Sequence, residues 1–194
     1  MFQVRFHGRG GQGVVTAAEM LSVAAFLDGR FAQAFPSFGS ERTGAPVVSY
    51  CRIADGEIRT RAPVESPDAL VVQDATLLHQ VDLFSGVGSD AYVLVNTSHT
   101  FEELGIAELA GRFRADRVLT VPATEIALRL LGRPLPNAVL LGGFAAMTGA
   151  VRVDAVVAAI RERFAGQVAE GNAEGARAAA SVVEKERSGR AATD

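Results

Sequence analysis

A single cysteine, Cys51, occurs in 194 residues. A disulfide needs two thiols, and an iron–sulfur cluster is ordinarily held by about four. The chain can therefore neither cross-link itself nor hold an ordinary cluster alone. Histidine is scarce too: His7, His79 and His99 fall at no spacing that suggests zinc ligation. Redox chemistry involving this protein must use centres held elsewhere. Charge of one sign is also missing. The formal net charge is −3, with both signs interspersed, which argues against a dedicated nucleic-acid binder. The longest apolar run, residues 138–151, is broken by Thr148 and falls short of the roughly 20 residues that span a bilayer. The N-terminus opens on a strand-like run, Phe2-Gln3-Val4-Arg5-Phe6, without the basic segment, apolar stretch and cleavage site of a signal peptide. A cytoplasmic protein with no membrane and no nucleic-acid partner is the expectation.

Hydrophobic residues make up 48% of the chain, enough at this length for one α/β domain with a sizeable core. Short β runs alternate with helical patterns. Val15, Ala18, Leu21 and Ala25 recur at helical spacing and predict a helix over 14–27, stopped by Asp28-Gly29. Residues 31–35 form a second strand pattern, ended by Pro36. Residues 47–53 and 57–60 flank Ala54-Asp55-Gly56, a hairpin signal because Asp-Gly suits a tight turn. Compact apolar runs at 69–72, 92–95 and 118–121 fit a parallel sheet buried on both faces. Helices are predicted over 123–131, 138–148, 153–164 and 172–187. The sum is a single doubly wound α/β domain over residues 1–187, mostly parallel, with an inserted β-hairpin and a helical C-terminal third. Residues 188–194 read as a frayed tail.

Between the first strand and the first helix lies Gly8-Arg9-Gly10-Gly11-Gln12-Gly13, which satisfies G-x-G-x-x-G where that motif has mechanical meaning. One reading is phosphate binding: glycines let a ligand approach the backbone, and the N–H groups of a helix N-terminus favour an anion. The other is packing of the helix against the strand. A dinucleotide site also expects an acidic residue at the end of the second strand, to hold the ribose. That strand ends Gln33-Ala34-Phe35-Pro36, and Asp28 precedes it, which weighs against a stand-alone Rossmann-like NAD(P)- or nucleotide-binding protein. No G-x-S-x-G element suggests a hydrolase nucleophile either.

The block Arg5-Phe6-His7-Gly8-Arg9-Gly10-Gly11-Gln12-Gly13, followed by Val15-Thr16-Ala17-Ala18, resembles the opening of the γ subunits of pyruvate and related 2-oxoacid:ferredoxin oxidoreductases. A second block resembles the same family: Gln33-Ala34-Phe35-Pro36-Ser37-Phe38-Gly39-Ser40-Glu41-Arg42-Thr43-Gly44-Ala45-Pro46-Val47. Shorter resemblances lie in Pro136-Asn137-Ala138 with Leu140-Leu141-Gly142, and in Asn172-Ala173. Where the family reads Glu-Arg-Arg-Gly, this chain has Glu41-Arg42-Thr43-Gly44; one positive charge is lost, and Arg42 remains. The resemblance implies a γ subunit that binds no cofactor alone and is not catalytic alone. It implies thiamine diphosphate with Mg on thiamine-binding α and β subunits, and iron–sulfur clusters on a ferredoxin-like subunit. CoA is the acyl acceptor. Electrons pass to ferredoxin, or to NAD through a further subunit carrying FAD. The oxoacid stays open among pyruvate, branched-chain oxoacids and aryl oxoacids such as phenylglyoxylate.

The candidate site is then Gly8, Arg9, Gly10, Gly11, Gln12, Gly13 and Arg42, touching CoA or a neighbouring subunit. Arg9 and Arg42 suit phosphates or a partner's carboxylates, since guanidinium donors match both, and a solvated loop arginine is the plain alternative. Glu41 is as well placed to orient Arg42 as to bind. Gln12 offers a donor and an acceptor to ligand or subunit. Asn137 is expected to cap the following apolar helix, His7 to be a hydrogen-bonded packing residue, and Cys51 a small core residue.

Overall fold

In the computed structural model, which describes residues 1–37 and 42–191, the apolar runs assemble into one six-stranded sheet. The strands are β1 (Phe2–Arg9), β2 (Phe31–Pro36), β3 (Pro46–Ala54), β4 (Ala69–Val72), β5 (Tyr92–Asn96) and β6 (Val118–Val121), in spatial order β2-β3-β1-β4-β5-β6. From β1 outward through β4, β5 and β6 every pairing is parallel. β3 runs antiparallel to both its neighbours, β1 and β2. The four residues of β4 are all buried, which is why Ala-Leu-Val-Val carries no polar alternation: both faces are covered.

The two faces are covered unequally. On one, Phe6, Val71, Leu94 and Leu119 pack into the main core against α1 (Val14–Leu27), α3 (Ala123–Leu131), α4 (Asn137–Thr148), α5 (Val153–Arg163) and α6 (Gly166–Ala191). On the other, Leu70, Val72, Val93 and Val95 meet Leu77, Leu83 and Ala110 in a smaller cluster. A 3-10 turn over Ala75–His79, the single-turn α2 (Ala107–Ala110) and loops supply that cover. No helix among the described residues is long and apolar enough to cross a membrane.

The fold is the mostly parallel α/β domain the sequence predicts, with one correction. The inserted antiparallel pair is β2–β3, not a hairpin around Ala54-Asp55-Gly56. Residues 57–60 are not a strand. The physical reason is that β1 and β2 already occupy both edges of β3, so no ladder is left for the chain after the turn. That chain is instead tied down by a buried arginine: Arg52 donates to the Ala62 carbonyl at 2.6 Å and the Thr60 carbonyl at 3.4 Å. At the C-terminus α6 starts at Gly166 and continues through Ala191, so residues 188–191 are helical, while 192–194 lie outside the described residues. So do Phe38, Gly39, Ser40 and Glu41 of the second family-like block, including the orienting role suggested for Glu41.

Candidate functional site

β1 runs on through Gly8 and Arg9, which pair with Val47 and Pro46 of β3, so the glycine loop proper is Gly10 to Gly13. Its shape is set by close approaches. A Cβ on Gly10 would stand 2.2 Å from the Arg42 carbonyl oxygen. The Gly10 N–H donates to the Ala45 carbonyl (2.9 Å), and Gly44 N–H donates back to the Gly10 carbonyl (3.0 Å). The chain at 42–45 thus lies directly against the loop. Gly13 enters α1 with a φ of 71°, where only glycine is at ease. Its carbonyl accepts from Asn137 Nδ2 at 3.3 Å. Asn137 is therefore not the helix cap predicted for it: it is the first residue of α4, makes no capping bond there, and braces the loop instead.

Arg9 and Gln12 are held by Asp74, which lies just past the end of β4, 65 and 62 residues away in sequence. Gln12 Oε1 accepts from the Arg9 N–H (2.7 Å), and Gln12 Nε2 donates to Asp74 Oδ2 (2.7 Å). The same carboxylate oxygen accepts from Arg9 Nε at 3.1 Å. The rest of the Arg9 guanidinium donates to the Gly44 carbonyl (3.0 Å), Thr76 Oγ1 (2.8 Å) and Gln80 Oε1 (2.7 Å). Asp74 Oδ1 accepts from Thr76 N–H and its hydroxyl, at 3.0 and 2.6 Å. Partial burial works against the Asp74 charge, but these donors, led by the Thr76 hydroxyl and the Gln12 amide, outweigh it and hold the carboxyl below its ordinary range.

Two cavities meet at the loop. An open cleft of about 660 Å³ lies beyond the C-terminal ends of β1, β4 and β5, where Gly10, Gly11 and Gln12 face Asp74, Asn96 and Thr97. This is the place where open α/β sheets bind ligands. The second, about 320 Å³, is lined by Gly10, Gly11 and Gly13 with Val14, Val15 and Thr16 at the start of α1. The N–H groups of those first three helical residues have no acceptor among the described residues, so they offer donors and the positive end of the helix dipole. Gly11, with a φ of 92° and nothing within 4 Å of where a Cβ would be, is the bare point shared by both cavities.

The structure brings Arg42 to this loop through its backbone, with its side chain exposed and unbonded to any described residue. Arg9, by contrast, is spent on the protein itself. Sequence reasoning missed Asp74 in this role; its only signal was a polar pair, Gln73-Asp74, closing an apolar strand. The topology also argues against the dinucleotide reading. β3 intervenes between β1 and β2, displacing the end of β2 by one strand spacing, roughly 5 Å, from the position beside β1 that a ribose-binding acid takes. Asp28 is occupied by Arg152, whose Nε donates to it at 2.7 Å. Cys51 is a core residue with no exposure, and burial pushes its thiol far up.

Comparison with known proteins agrees with this architecture. Residues 3–182 match the family described as pyruvate ferredoxin/flavodoxin oxidoreductase. The chain is 48% identical over 185 residues to the pyruvate synthase subunit PorC of Methanothermobacter thermautotrophicus, covering 95% of this chain and 97% of that one. It is 45% identical over 179 residues to the pyruvate/ketoisovalerate oxidoreductases common subunit gamma of Pyrococcus abyssi, covering 92% and 95%. The crystal structure of the pyruvate oxidoreductase subunit PORC of Thermotoga maritima superposes with a TM-score of 0.78 at 36% identity, covering 93% and 95%. The protein thus belongs to the pyruvate ferredoxin/flavodoxin oxidoreductase family, and is a gamma-type subunit of such an oxidoreductase complex.

Proposed function

We propose that this chain is the γ subunit of a thiamine-diphosphate-dependent, CoA-acylating 2-oxoacid:acceptor oxidoreductase of the cytoplasm, and that its glycine loop lies on the route of CoA. The observation that carries the reading is the pairing of free helix N–H groups at Val14, Val15 and Thr16 with the exposed Arg42 beside Gly10. CoA brings three phosphate groups, and oriented N–H donors with a nearby guanidinium suit them.

The residues here do not fit the redox groups. The one thiol is sealed in the core, and no cluster of three His, Cys, Asp or Glu among the described residues could hold a metal. Thiamine diphosphate and its Mg are accordingly assigned to α and β partners, and the iron–sulfur clusters to a ferredoxin-like subunit that passes electrons to ferredoxin or NAD. Thiamine diphosphate, when bound there, supplies the carbanion chemistry that releases carbon dioxide from the oxoacid. This chain's own residues bind and orient. Val14, Val15 and Thr16 donate N–H groups to a phosphate, Arg42 adds charge, and Asn137 and Asp74 keep the loop in place. A subunit common to pyruvate and ketoisovalerate oxidoreductases, as the Pyrococcus abyssi relative is named, cannot itself choose between those acids. The choice of pyruvate, a branched-chain or an aryl oxoacid is therefore assigned to the thiamine-binding partners.

Replacing Arg42 with Ala in the intact complex tests this. Loss of one charge-assisted contact of about 1.5 kcal/mol raises the apparent KM for CoA roughly tenfold. The KM for the oxoacid and the thiamine content stay unchanged. Dissociation of the complex, or an equal loss for every substrate, contradicts the proposal.

A further inference from the structure

Arg9 and Arg42 both stand at the glycine loop, but their surroundings separate them. The Arg9 guanidinium makes bonds to Asp74, Gly44, Thr76 and Gln80, and its charge is matched by Asp74 at 3.1 Å. Arg42 is exposed and unbonded to any described residue. Asp74 is also the acceptor for Gln12, whose other amide atom holds the Arg9 N–H, the point where β1 turns into the loop. One carboxylate oxygen therefore fixes both ends of Arg9-Gly10-Gly11-Gln12. Its other oxygen is locked by Thr76, so the acceptor itself cannot swing away.

We infer that Asp74 is a positioning residue for the anion site: through Gln12 and Arg9 it holds Gly10 and Gly11 in the conformation that admits CoA phosphate. This rests on the CoA reading of the loop. It gives a prediction of opposite sign to simple electrostatics. A carboxylate close to a phosphate site repels the ligand, so neutralising it, or freeing Arg9 to contact the phosphate, tightens binding. A carboxylate that positions the loop weakens binding when it is neutralised.

The test is steady-state kinetics on the intact complex with CoA varied, comparing Asp74→Asn, Gln12→Ala, their combination and Arg42→Ala. For Asp74→Asn the expected result is a KM for CoA raised about tenfold, the scale of one lost charge-assisted bond. The kcat and the KM for the oxoacid stay unchanged. Gln12→Ala raises the same KM, and the double variant is no worse than Asp74→Asn alone, because both break one brace. A lowered or unchanged KM for CoA in Asp74→Asn, while Arg42→Ala still raises it, overturns the positioning role and leaves the CoA reading standing. No change in either variant removes both. An Asp74→Asn subunit that fails to assemble also overturns the inference, since Asp74 then serves the fold.

Discussion

His7 sits on the sheet face away from α1, 8% exposed, with its Nε2 buried and without a hydrogen-bond partner among the described residues. Burial, and then the nearby Arg5 charge, lower its pKa from 6.5 to about 4. The folded state therefore binds fewer protons than the unfolded chain between those values, and stability falls as pH drops. The contribution is intact above the unfolded pKa of 6.5 and is lost progressively towards the folded value of about 4, amounting to roughly 3 kcal/mol at the lower end. A His7→Asn variant is expected to lose less stability than the parent between those pH values in denaturant unfolding; an identical pH slope would show that His7 titrates normally. At this scale the sequence was legible where a residue acts alone, as with Cys51 in the core. It was not legible where a residue acts through a distant partner. Asn137 reads locally as a cap, and its bond to Gly13 spans 124 positions. Asp74 meets Arg9 and Gln12 only because β4 lies parallel to β1 in a fixed register, and no local pattern carries that register.

Among the elements, α4 carries the tightest contact. It is buried along nearly its whole length, because it is sandwiched between the sheet and α6. A Cβ on Gly142 would stand 1.9 Å from the Ala176 carbonyl oxygen of α6. The short family-like stretch Leu140-Leu141-Gly142 thus serves the packing of α4 on α6, where Gly142 meets Ala176 one turn beyond Asn172-Ala173. Gly142→Ala forces the helices apart and is expected to destabilise the subunit by about 1–3 kcal/mol. Its melting temperature should fall on the order of 5 °C, while the KM for CoA in assembled complex is unchanged; an unaltered melting temperature would mean the crossing can relax freely. Most of the helices were readable as elements, α1 from its helical spacing and its Asp28-Gly29 stop, since both signals are local. Which strands pair was not readable. Asp55-Gly56 does make a turn signal, but the partner of β3 is chosen by the whole sheet, and both its edges were taken by β1 and β2.

The whole molecule is a mostly parallel α/β sheet with one reversed strand, a glycine loop braced by Asp74 and Asn137, and no thiol available for a cluster. Those features make sense for a chain that receives an anionic substrate while partners hold the redox groups. The family was legible because one of its two long resemblances runs through the loop itself, where glycines are fixed by backbone contact, as at Gly10 and residue 42. Assembly is the central expectation: this γ-type subunit is predicted to bury an obligate interface against a thiamine-binding partner, and such interfaces typically exceed about 2,000 Å². The most direct measurement is the native mass of the tagged chain purified from its own host, with its co-purifying chains and cofactors identified. The account predicts a hetero-oligomer that contains thiamine diphosphate and iron–sulfur clusters on the other chains and forms acyl-CoA from a 2-oxoacid. A free monomer in the extract, or iron bound to the isolated chain, would contradict it.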